Sequence, residues 1–202
     1  MIWTLGVTGA IIYLPIVIFS LTIHELAHGY AALWCGDPTA KNQGRLTFNP
    51  LAHLDLFGTL AMLLAYIGWA KPVPINPQNF KNRKWGVAIV SVAGPLSNFL
   101  IAILALLIYT QISRPFGLDN SMLGLFLIMM AGSNLGLAIF NLLPIPPLDG
   151  SKIFLSLAPR SVQEAIWKYE QYGILILLFV IYYLSDYIGL AIDSILNIFL
   201  RS

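Results

Sequence analysis

The sequence predicts an α-helical polytopic membrane protein: a three-helix core followed by one more membrane helix, all in a single membrane-embedded domain over residues 1–202. Three observations predict it. Of 202 residues, 58% are hydrophobic and 10% charged, where a soluble domain carries about a quarter charged residues. Four apolar stretches approach or exceed the roughly 20 residues that a helix needs to span hydrocarbon. The basic residues cluster in the segments between those stretches. A net charge of +2 gives no basis for nucleic-acid binding, and the single cysteine, Cys35, excludes an internal disulfide and any cysteine-rich metal site.

The first span covers residues 7–33, with Pro15 inside it, tolerable where neighbouring helices cover the freed carbonyl. It has no basic leader and no clean cleavage site, so it is expected to be retained. Residues 35–52 read as loop, with turns at Asp37-Pro38 and Asn49-Pro50 and a strand-like alternation over 45–49. The apolar run 54–69 has about 16 residues, short for a crossing, and is expected to be re-entrant or interfacial. Residues 70–85 hold three prolines in alternation, an extended segment with a basic end. Spans follow at 86–110 and 121–143, the latter running into Pro144-Ile145-Pro146-Pro147-Leu148-Asp149-Gly150. Residues 160–171 are amphipathic and expected at the interface. A fourth span is expected at 172–192, ending near Asp186 and Asp193 and leaving a short tail.

Inside the first span stands His24-Glu25-Leu26-Ala27-His28. Residues four apart share a helix face, so both imidazoles can close on one metal ion. Glu25 is rotated by about 100° from His24, beside the metal and within reach of a water on it. Zinc brings the pKa of such a water to roughly 7, and a carboxylate can take its proton as it attacks a carbonyl. A catalytic zinc usually has a third protein ligand. Carboxylates near membrane spans are few, because they are costly there. Asp149 is the strongest candidate, at the end of a long apolar helix and in a turn whose Gly150 permits close approach. Asp55, Asp186 and Asp193 lack such a turn, and Asp149 could also be a plain helix-end residue facing water.

Three motifs then resemble the site-2 protease family of intramembrane zinc metalloproteases: His24 to His28, Ala93-Gly94-Pro95-Leu96-Ser97-Asn98, and Asn141-Leu142-Leu143-Pro144-Ile145-Pro146-Pro147-Leu148-Asp149-Gly150. They occur in the family's order. The stretches 44–55 and 69–77 look like a compact prokaryotic branch without PDZ or CBS domains. The resemblance implies one zinc ion per chain on His24, His28 and Asp149, with Glu25 as general base. It implies that Asn141 lies near the scissile carbonyl; an interhelical hydrogen bond is its other reading. Asn98 reads rather as a structural amide. Implied partners are single-span membrane protein substrates and the lipid bilayer. Ser151 stands where many members have a second glycine.

For one metal to join His24, His28 and Asp149, the spans 7–33 and 121–143 must run parallel, so 54–69 must not cross. Lys41, Arg45, Lys71, Lys81, Arg83 and Lys84 against Asp37 and Asp55 make 35–85 cytoplasmic. That puts the active site nearer the cytoplasmic face of a prokaryotic plasma membrane. Segments 45–49 and 71–77 could offer a strand edge to an unwound substrate, or could simply cover the site. His53 could support the centre or be a satisfied polar residue. Two other functions remain open on the sequence: a zinc transporter or sensor without proteolysis, and a helix-binding pseudoprotease.

Overall fold

The computed structural model describes residues 6–65, 68–159, 161–164 and 172–200. It is a helical polytopic architecture: α1 (Gly6–Cys35), a short α2 (Thr39–Asn42), α3 (Leu56–Ala65), α4 (Arg83–Ile108), α5 (Met122–Asn141), α6 (Asp149–Leu157) and α7 (Gly173–Leu200). Among the described residues four helical stretches are long and apolar enough to cross a membrane: Ile11–Cys35, Arg83–Ser113, Met122–Asn141 and Tyr182–Leu200.

Helix α4 is the hub, packed against α1, α5 and α6. Its buried face carries Ser91, Gly94, Asn98, Ala102 and Ala105 at three- and four-residue steps. Small residues at that period let backbones approach closely, which is how membrane helices gain contact without a hydrophobic driving force between them. Ile16 of α1, Ala105 and Leu106 of α4, and Leu127 and Met129 to Ala131 of α5 form the core beyond the polar centre. Outward, Leu96, Phe99, Leu100, Leu104 and Leu107 stay exposed, as a lipid-facing surface requires.

Helix α3 has ten residues, about 15 Å of helix against a hydrocarbon thickness of about 30 Å. An antiparallel bridge pairs Leu54 with Ala70, and the Lys71 amide donates to the His53 carbonyl at 2.8 Å. The two ends of 54–70 therefore lie side by side, and the chain leaves and returns at one level.

Residues 70–80 then run as an extended strap across the C-terminal half of α1. Asp37 pins it: this fully buried carboxylate accepts from the Asn76 amide and Asn79 Nδ2, both at 2.7 Å, and from the amide and hydroxyl of Thr39. Burial would raise the pKa of Asp37, but these donors outweigh it and hold the carboxyl below the usual carboxylate value of 3.8. A depressed folded-state pKa means the stabilisation is complete above the ordinary carboxylate range and lost as pH falls through the lower, folded value. Asp37→Asn turns an N–H toward these donors. It is expected to raise protease cleavage within 70–80 about tenfold or more at neutral pH, the loss of at least one charge-assisted hydrogen bond. Limited proteolysis of the solubilised protein reads this directly.

Three sequence expectations change. Among the described residues 45–49 form no strand; Arg45 instead donates from Nη2 to the carbonyls of Lys71 and Pro72, at 2.9 and 3.2 Å, fastening the strap. The last helix does not stop near 192 but continues to Leu200. Asp186 and Asp193 are two turns apart on one stripe, and no proline interrupts them, so neither breaks it. Asp149 does not end a long helix: α5 stops at Asn141, and Asp149 opens α6. An acid suits that position, at the positive end of a helix dipole. The amphipathic segment 160–171 lies mostly outside the described residues.

Candidate metal centre

His24 and His28 lie on one face of α1 and are buried, at 4% and 6% exposure, as is Asp149 at 5%. Their donor atoms converge: Asp149 Oδ2 is 3.1 Å from His24 Nε2 and 3.0 Å from His28 Nε2, and the two Nε2 atoms are 3.0 Å apart. A tetrahedral ion with ligands at about 2.0–2.2 Å wants its donor atoms about 3.3–3.5 Å apart, so the gap is within a few tenths of an ångström. Among the described residues these three are the group able to hold a metal ion.

The surroundings fix which nitrogen faces the gap. His24 Nδ1 lies 2.6 Å from Asn98 Oδ1, and His28 Nδ1 lies 2.7 Å from the Val90 carbonyl. A carbonyl only accepts, so His28 donates from Nδ1. Asn98 is oriented by its own partners, for its Nδ2 donates to the Ser20 carbonyl and to Asn134 Oδ1. Its Oδ1 therefore accepts from His24. Asn134 Nδ2 in turn donates to Ser20 Oγ and the Met130 carbonyl, and Ser20 Oγ to the Ile16 carbonyl. With both ring protons spent on Nδ1, the two Nε2 atoms and Asp149 Oδ2 face one another as electron pairs. That cluster repels itself unless a cation joins it, so the residues present fit a divalent metal. Lys152 donates to Asp149 Oδ1 at 2.9 Å, which leaves Oδ2 turned to the imidazoles.

Gly94 makes the space. A Cβ there would lie 2.4 Å from His28 Nε2 and 2.6 Å from His24 Nε2. Next to it, Pro95 has no N–H for the Ser91 carbonyl. Glu25 is rotated off this face, as its position predicts, and its Oε2 accepts from the Val73 amide of the strap at 2.8 Å. Asn141 is not drawn into the cluster: its Nδ2 donates to the Leu137 carbonyl of its own helix. His53 Nε2 bonds the Thr47 carbonyl at 2.8 Å, holding the loop before α3. Sequence reasoning passed over Ser20, Asn134 and Lys152. Polar residues inside apolar spans were the available signal for the first two, and the i, i+3 spacing from Asp149 for the third.

Asn98→Ala is expected to weaken zinc binding by about 10- to 100-fold, the usual cost of losing the group that orients a ligating histidine. Chelator competition on the purified protein measures it, and unchanged affinity would leave the amide no part in holding His24.

Comparison with known proteins points to the same class of chemistry. The model of peptidase family M50 matches residues 117–184, which include Asp149 but not the histidines. The Bacillus subtilis protein named "Putative zinc metalloprotease YwhC" is 40% identical over 193 residues, 90% of this chain and 88% of that protein. "Putative zinc metalloprotease Rip2" of Mycolicibacterium smegmatis is 31% identical over 170 residues, 79% of this chain and 62% of that protein. "Putative zinc metalloprotease sll0528" of Synechocystis is 28% identical over 155 residues, 77% of this chain and 32% of that one. The chain thus spans most of the first relative, about three fifths of the second and a third of the third. No solved structure matches it significantly. A relative 40% identical over most of both chains, together with the family match and the His-His-Asp cluster on a helical membrane chain, shows that the chain belongs to peptidase family M50 and is a zinc metalloprotease.

Proposed function

We propose that the protein is an intramembrane endopeptidase that hydrolyses a peptide bond within or near the transmembrane segment of a single-span membrane protein. His24, His28 and Asp149 would hold the zinc ion, one per chain. When bound, zinc supplies a Lewis acid and a water acidic enough to lose its proton near neutral pH. The observation that carries the reading is the set of three mutually facing electron-pair donors, buried among helices able to span a membrane.

The chain's own residues do the rest. Glu25 Oε2 is occupied by the Val73 N–H, so Oε1 takes the proton from the attacking water and passes it to the leaving nitrogen. Asn98 and the Val90 carbonyl keep both imidazoles in the tautomer that offers Nε2 to the metal. Lys152 holds the other oxygen of Asp149. The strap is better suited to covering the site than to pairing with substrate. Its amides at Lys71, Val73 and Asn76 are spent on His53, Glu25 and Asp37, and its prolines have none. Asn141 spends one of its two Nδ2 protons on the Leu137 carbonyl, which leaves the other for a substrate carbonyl.

The centre is expected nearer the cytoplasmic face of a prokaryotic plasma membrane, since the basic segment 35–85 favours that side. His28 stands seven residues before the end of α1 at Cys35, about 10 Å inside the helix end. Helix α3 would then dip and return without crossing.

Two measurements test the proposal. Membranes expressing the protein should accumulate cut fragments of single-span proteins, and a zinc chelator should stop this reversibly. Zinc flux into sealed vesicles without any fragment would favour a transporter and overturn it.

A further inference from the structure

The peptide group between Pro72 and Val73 is held at both ends by charged side chains. Its N–H donates to Glu25 Oε2 at 2.8 Å, and its carbonyl accepts from Arg45 Nη2 at 3.2 Å. The same Nη2 donates to the preceding carbonyl, that of Lys71, at 2.9 Å. This peptide is trans, and a trans peptide points its oxygen and its hydrogen in opposite directions. The guanidinium therefore meets the negative edge of the plane and the Glu25 carboxylate the positive edge. Both charges polarise the peptide in the same sense, and hydrogen bonds linked in this way strengthen one another.

No neighbouring peptide could replace this one. Pro72 and Pro74 have no N–H, so Val73 carries the single amide donor of residues 72–74. Val73 is itself buried and seated on α1. A Cβ at Gly29, four residues after Glu25 on the same face, would overlap Leu46 Cδ2 and come within 3.2 Å of Val73 Cγ1. Leu46 follows Arg45, so both segments that meet at this peptide rest beside Glu25. The charge of Arg45 alone does not explain its placement. Among the described residues it has no carboxylate partner, and its Nε is buried without a hydrogen bond. A cation that only marks the cytoplasmic side keeps its head in water or among headgroups. This one is turned onto two carbonyls of the strap.

We infer that Arg45 is a positioning residue for the hydrolysis: acting through the Pro72–Val73 peptide, it fixes the Glu25 carboxylate so that Oε1 meets the attacking water. This deepens the proposed function and rests on the role given there to Glu25. Misplacing a reacting group by about 1 Å costs roughly 100-fold in rate, which sets the upper scale of the effect.

The test uses the full-length chain in phosphatidylcholine nanodiscs, labelled synthetic single-span peptides, and zinc analysis of every preparation. Arg45→Ala should lower kcat at least tenfold with KM within about twofold and zinc at one per chain, the pattern of an interaction realised in the transition state. Arg45→Lys, which keeps a cationic donor, should recover most of the rate. In a Glu25→Gln background Arg45→Ala should cost less than about twofold more, because the two residues act as one unit. Asp37→Asn, which frees the far end of the strap without touching this peptide, should keep kcat within about threefold. Hydrogen exchange at the Val73 amide needs no cleavage, and Arg45→Ala should speed it at least tenfold. Wild-type kcat in Arg45→Ala overturns the inference. So does a loss that follows zinc content, a loss undiminished in Glu25→Gln protein, or an equal loss in Asp37→Asn, each of which would make Arg45 a fastener of the fold alone. The two proposals fail separately. Faster exchange in Arg45→Ala, with no peptide cut even by the wild type, sinks the peptidase reading and keeps the link from Arg45 to Glu25. Cleavage by the wild type, with kcat and exchange both unaltered in Arg45→Ala, does the reverse.

Discussion

Glu25→Gln is expected to retain one zinc ion per chain and to lose cleavage by about 10³-fold or more, the scale of removing a positioned general base. The substitution is nearly isosteric, and a glutamine amide oxygen can still accept the Val73 N–H that Glu25 Oε2 accepts now. The strap and the fold should therefore persist, with the proton-accepting capacity alone removed. Metal analysis of the purified variant beside a cleavage assay separates the roles. Zinc lost together with activity would make Glu25 a ligand and would contradict the arrangement in which His24, His28 and Asp149 close the site.

Gly94→Ala is expected to cut zinc content from one per chain to below about a tenth, while leaving the helix at least as stable. The added methyl would sit 2.4 and 2.6 Å from the two Nε2 atoms, well inside contact distance. Neither ring can swing aside without breaking its Nδ1 bond to the Val90 carbonyl or to Asn98. Alanine is otherwise favoured over glycine within a helix by about 0.5–1 kcal/mol, so ordinary folding damage is not the expected cause. Thermal unfolding and metal analysis on one preparation distinguish the outcomes; a zinc-replete Gly94→Ala protein would mean that α1 and α4 do not approach as described.

Much of the site was legible because its signals are local. The i, i+4 spacing of His24 and His28 sets their shared face whatever surrounds them, and the offset of Glu25 follows from the same helical pitch. The Pro-Pro-Leu-Asp-Gly turn singled out Asp149 among the acids, although its helix was taken to be the one before it. Pro144, three residues past the end of α5, keeps that helix from continuing, and the chain restarts as α6 with Asp149 at its head. The strand-like alternation at 45–49 misled for a different reason. Alternation reports a half-buried extended chain, but a strand also needs a partner ladder, and Arg45 meets the strap through its side chain instead.

By itself the sequence determined that the chain is a membrane protein, that two histidines share a helix face and that a carboxylate stands beside them, since hydropathy and helical periodicity act over a few turns. Tertiary structure alone decided that Asn98, Asn134 and Ser20 orient His24, that Gly94 leaves room for the metal, and that Val73 holds the Glu25 carboxylate. Those contacts join residues from 36 to 114 positions apart, most of them on separate helices. Their existence depends on which faces of α1, α4 and α5 meet, which no local pattern specifies.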